Sequence, residues 1–171
     1  MVGRRRAWLD LRGVSRADSQ RSAPEIRENK MKSNPLTPEL YVSHFQKSFD
    51  FYTKILDFTV EYQRENPLFA FLFYQGSHLM IQELDPQEDE TFITGSFEYP
   101  LGRGINFQIE TDNVQKLYAA LKAYDYPLRR EIKDSWYQVG NVLHGCRQIL
   151  VQDPDGYLLR FSQDIGEKPA S

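Results

Sequence analysis

The sequence predicts an α+β fold in which one module, βαβββ, is written twice within 171 residues. Three observations carry that expectation. Adding 69 to Phe45, Phe49, Tyr52 and Ile55 gives Val114, Tyr118, Leu121 and Tyr124, so the same apolar stripe recurs at helical spacing. Each stripe is preceded by one short strand pattern and followed by three. Gly76 and Gly156 stand just before the last strand of each set, where a turn favours a positive φ.

Taken in order, the first module (36–84) opens with a strand over 39–43. Ser43 and Gln46 have the spacing of a capping box ahead of the first helix. Strands are expected over 58–63, 69–74 and 78–84. A run without pattern, 85–103, follows; it is long for a structureless connection and predicts a crossing between modules or the wall of a site. The second module (104–166) repeats the plan. A strand over 106–110 leads to a cap pair, Asp112 and Gln115, then a helix, then strands over 128–132, 148–152 and 157–163. Trp136 and Tyr137 fall between predicted strands, ahead of the seventh, and 167–171 reads as a tail.

Composition bounds the rest. With 40% apolar and 13% aromatic residues the chain can bury one core of ordinary size. Residues 1–30 carry eight basic and four acidic side chains, a balance of +4 that leaves −7 for the remainder. The segment 1–34 therefore reads as a basic, disordered arm, with Met31 as an alternative start. Its four acids argue against a transit peptide. The acidic body argues against nucleic acid as a partner. The lone Cys146 has no disulfide partner, which with the absence of a long apolar run predicts a soluble, cytoplasmic protein with no membrane partner. Cys146 could gain thiolate character from Arg147, although a small residue at a strand entrance explains it equally well.

The segments PELYV at 38–42, SFDFY at 48–52, YAAL at 118–121 and VQDPDGYLLRF at 151–161 resemble the vicinal oxygen chelate superfamily. Within it they are most similar to the glyoxalase and bleomycin-resistance branch, and closest to bleomycin resistance proteins. The resemblance spans about 35–166 and implies that the two modules form a paired half-barrel. It also implies that metal-dependent members draw their ligands from the first and last strand of each module. Counting from the helix starts and the turn glycines places those positions at Thr37, Asn106, Met80 and Arg160, a poor set for a divalent cation. A slip of two residues would bring in Glu39 and Gln82. His44, His78 and His144 do not converge on a further site. No catalytic residue, metal or other cofactor is therefore expected. A glyoxalase-type or ring-cleaving enzyme holding a metal through Glu39, Gln82 and His78 is the alternative.

The function that this resemblance implies is sequestration of a planar, cationic antibiotic of the bleomycin type, or of an endogenous metabolite, by a homodimer. The expected ligand-binding residues are Trp136, Tyr137, Phe71, Phe73, Asn106, Arg160 and Glu39. Rings on the third strand and at 136–137 could stack on a flat ligand. Asp85, Glu88, Asp89, Glu90 and Glu98, near Phe92, Phe97 and Tyr99, would attract a cation. Bleomycin-binding members often carry Trp-Gly-x-Arg at the seventh strand, whereas here His144 replaces the tryptophan before Gly145, Cys146 and Arg147. Arg160 could anchor a carboxylate or phosphate, or pair with Glu39.

Overall fold

The computed structural model describes residues 34–85, 87 and 90–170, so the expected basic arm lies almost wholly outside the described residues, as do Glu88 and Asp89. The first module comprises β1 (Glu39–Val42), α1 (Phe45–Asp50) with a π-helical continuation (Phe51–Ile55), β2 (Thr59–Glu65), β3 (Leu68–Tyr74) and β4 (Ser77–Glu83). The second comprises β5 (Asn106–Glu110), α2 (Val114–Ala123), β6 (Leu128–Val139), β7 (Val142–Gln152) and β8 (Leu158–Pro169). Each module forms one four-stranded mixed sheet, ordered β1-β4-β3-β2 and β5-β8-β7-β6. This is the doubled βαβββ plan that the sequence predicts.

Alternation along the strands sets which side is core. Leu40, Val42, Ala70, Leu72, Leu79 and Ile81 of the first sheet join Ile109, Ile149, Val151, Leu159 and Phe161 of the second in one buried cluster with both helices. From α1 and its continuation come Phe45, Phe51, Tyr52 and Leu56; from α2 come Val114, Leu117 and Leu121. The π stretch, closed by Leu56 N donating to Phe51 O at 3.1 Å, adds a residue to one turn and lets adjacent Phe51 and Tyr52 both face inward. In α2 the stripe ends earlier than expected. Tyr124 is exposed because the helix stops at Ala123, and Leu117 fills the core instead.

Neither capping box forms. The cap of α1 is His44, without a side-chain bond, and that of α2 is Asn113, whose side chain accepts from Lys116 N at 2.9 Å. The free N–H groups are met from the last strand of each module. Glu83 Oε2 accepts from Phe45 N at 2.6 Å, and Gln163 Oε1 accepts from Val114 N at 3.1 Å. The last three strands are also longer than the pattern implies. β6 and β7 form a hairpin across a two-residue turn at Gly140 and Asn141, so Trp136, Tyr137, His144 and Cys146 are strand residues and not loop residues. β8 continues to Pro169, making most of the expected tail strand.

Polar contacts lock one module to the other. Tyr52 Oη donates to Asp153 Oδ2 at 2.9 Å, Tyr74 and Thr111 share a 2.7 Å bond, and Tyr157 Oη donates to Tyr41 O at 3.2 Å. Asp153 is almost fully buried, and desolvation pushes its carboxyl from the ordinary 3.8 up to about 7 despite the bonds from Tyr52 and Tyr157 N. The fold then holds a proton that the unfolded chain has released between those two values. Stability from this group is full below pH 3.8, declines as pH rises to about 7 and is flat above. Asp153→Asn should remove that slope. Melting of both proteins between pH 4.5 and 8 checks it, and parallel curves would show that folding does not raise the pKa of Asp153.

Candidate ligand-binding site

The strand faces turned away from the helices carry the side chains predicted for ligand binding except Trp136. That ring projects from the opposite face of β6 with Asp134, in register with Gly145, Arg147 and Gln163. On the first sheet Glu39 is paired with Met80 and Tyr41 with Gln82, while Phe69, Phe71 and Phe73 alternate with the core residues of β3. The His78 ring lies 5.1 Å from Phe71 and 5.3 Å from Phe73, with Nε2 3.3 Å from Glu61 Oε2. Arg64 sits 4.2 Å above the Phe69 ring and donates to Gln82 Oε1 at 3.2 Å. Phe71 is only 4% exposed, so its ring is largely committed to packing.

On the second sheet the pairing aligns Arg130 with Leu150, Leu150 with Arg160, and Arg160 with Gln108. Arg130 Nη2 donates to Gln148 Oε1 at 3.1 Å, and Gln148 Nε2 donates to Ser162 Oγ at 3.3 Å. Arg160 does not pair with Glu39; its Nε is buried with no acceptor.

The registers also correct the positions counted from sequence. Thr37 precedes β1, and its hydroxyl donates to Asn34 O at 3.2 Å. The equivalent pairs are Glu39 with Met80 and Gln108 with Arg160. One carboxylate, one thioether, one amide and one guanidinium do not fit a divalent catalytic ion, because the guanidinium has no lone pair to offer and repels the charge. Among the described residues no three His, Cys, Asp or Glu side chains cluster as a metal site.

The predicted residues do not all meet. Asn106 and His78, from different modules, line one hollow of about 310 Å³ together with Gln108 and Phe58. Trp136 stands opposite Gly145, five residues along β7 from Leu150, roughly 17 Å from the Arg160 row at ~3.3 Å per residue. Its ring fills the space over Gly145, where an added Cβ would lie 2.7 Å from it, and carries Lys168 at 4.0 Å, while Tyr137 is exposed on the other face of β6. Of the acidic residues expected to attract a cation, Glu88, Asp89 and the side chain of Glu90 lie outside the described residues, and Glu98 Oε2 lies 3.8 Å from Arg103 Nη2. A larger hollow of about 700 Å³, lined by Glu110, Asp112, His144, Cys146 and Ser162 among others, was not expected from sequence. Arg64, Arg130 and Gln148 were missed as well, since single polar residues in charged strands carry no pattern.

The profile of the Glyoxalase/Bleomycin resistance protein/Dioxygenase superfamily matches residues 34–161. A superfamily member from Vibrio splendidus is 32% identical over 74% of this chain and 95% of its own, with a TM-score of 0.35. A glyoxalase/bleomycin resistance protein/dioxygenase from Alicyclobacillus acidocaldarius is 16% identical, covering 81% and 96%, at a TM-score of 0.55. A lactoylglutathione lyase from Agrobacterium tumefaciens is 15% identical, covering 77% and 94%, at 0.51. No curated protein matches. Among the described residues no helix is long and apolar enough to cross a membrane.

Proposed function

The chain belongs to the Glyoxalase/Bleomycin resistance protein/Dioxygenase superfamily, and from that premise we propose that it binds a small planar molecule and sequesters it without a catalytic metal, in the manner of the bleomycin resistance proteins. One observation carries this reading. The strand pairs that supply metal ligands in catalytic members hold Glu39 with Met80 and Gln108 with Arg160, and a guanidinium occupies one of the four places. The enzyme alternative through Glu39, Gln82 and His78 is disfavoured because Gln82 Oε1 accepts from Arg64 and the His78 ring is held between phenylalanines beside Glu61.

A ligand ring would enter at the hollow shared by Asn106, Gln108 and His78. Dimerisation belongs to the same proposal, since a two-fold interface would use one surface twice and enlarge so small a hollow. Native mass spectrometry of the full chain, with and without bleomycin, tests the reading. The expected result is a dimer that retains no metal after dialysis against zinc, nickel, manganese or iron and gains drug mass in whole-number steps. A stoichiometric metal and indifference to the drug would turn the case toward a glyoxalase-type enzyme.

A further inference from the structure

We propose that the face of the second sheet turned away from α2 receives an oxyanion, a carboxylate or phosphate carried by the ligand, and that Arg160 and Arg130 hold it. This rests on the small-molecule reading above and names the chemistry of its ligand. Residues opposite one another in a ladder project from the same face, and the row Arg130–Leu150–Arg160 crosses three adjacent strands. Two strand spacings put the arginine backbones about 10 Å apart, within reach of two long side chains converging over Leu150.

Both guanidiniums are left wanting an acceptor. The Nε of each is sealed from solvent with no partner, and the bond from Arg130 goes to the neutral amide of Gln148. A buried donor on a cation without an acceptor is costly, and a fork of two N–H groups matches the two oxygens of a carboxylate or phosphate. The contrast with Arg147 in the same sheet is direct. There Nε and Nη2 donate to the two oxygens of Asp134, each at 2.8 Å, which shows how this fold satisfies an arginine that needs no ligand. The polar residues nearest Arg160 on its own face, Gln108, Gln148 and Ser162, are uncharged, and the carboxylate on that face, Glu110, stands two residues along β5 from Gln108, opposite Ser162. Removing the charge should therefore cost binding and not folding.

Calorimetric titration of the full chain with benzoate, phenylphosphate and the neutral isostere benzamide, beside bleomycin, tests this. Wild-type protein is expected to bind one or both acids at least about tenfold more tightly than benzamide. Arg160→Met and Arg130→Met should each lower acid affinity by about tenfold or more; without ligand Arg160→Met should melt no lower than wild type, whereas Arg130→Met should melt lower because Gln148 Oε1 loses its donor. Preference between benzoate and phenylphosphate identifies the oxyanion. Benzamide binding as tightly as the acids, acid affinity unchanged in both variants, or no acid binding at millimolar concentration would overturn the proposal. Bleomycin bound without the acids would leave sequestration standing and remove this inference. The acids bound without bleomycin would keep the inference and exclude only the drug.

Discussion

Asp155→Ala is expected to lower the unfolding free energy by about 3–5 kcal/mol, a large part of the stability of a domain this size. The carboxylate belongs to the turn between β7 and β8 but is spent on the other module. Oδ1 accepts from Ser43 N at 3.0 Å and Ser43 Oγ at 2.5 Å, and Oδ2 accepts from Ser48 Oγ at 3.0 Å. Asp155 is 5% exposed and Ser48 0%, so water cannot replace these bonds without opening the seam. Alanine would strand three donors and leave a void beside α1. Ser48→Ala removes a single donor and should cost only about 1 kcal/mol. Urea unfolding with an unchanged m-value measures both. A loss under about 1 kcal/mol for Asp155→Ala would mean that the bonds of Asp155 to Ser43 and Ser48 contribute little to joining the modules.

The repeat was legible because its signals are local. Stripes at helical spacing, alternating strands and two turn glycines each occupy a handful of neighbouring residues. What stayed hidden depends on residues far away in sequence. Glu83 and Gln163 cap helices 38 and 49 residues distant, so Ser43 and Asp112 looked like the obvious caps. Ser43 instead serves Asp155, and no spacing rule links 43 to 155. The distal half of β6, KDSWYQV, is charged and exposed, and reads as a loop. It is a strand because β7 supplies the ladder and because Asp134 and Arg147, directly paired, bridge the two strands. That extension is also what carried Trp136 away from Arg160. Arg160 itself stood out because it interrupts an apolar strand, whereas Arg130 sits in LRREIK, where one more cation is unremarkable.

Gly156→Ala should be about as damaging as losing Asp155, for a steric reason that its counterpart in the first module lacks. Gly156 has φ +94°, and an added Cβ would lie 2.6 Å from both Cα and Cβ of Pro100 and 3.0 Å from Cε2 of Tyr99. Two of those atoms are in a proline whose neighbour is fixed, since Leu101 N donates to Asp155 O at 2.9 Å. The backbone would have to move, and about 3–5 kcal/mol is expected from strain and clash together. Gly76 shares the conformation, φ +88°, but meets nothing within 4 Å, so Gly76→Ala carries the conformational cost alone, about 1–2 kcal/mol. The difference between the two unfolding free energies isolates the contact with the connecting segment. Gly156 is also four residues before Arg160, and the displaced turn starts β8. Gly156→Ala should therefore weaken aromatic-acid binding at temperatures where the protein remains folded, whereas Gly76→Ala should not. Equal losses of stability in the two variants would show that Pro100 yields, and that the turn does not fix where β8 begins.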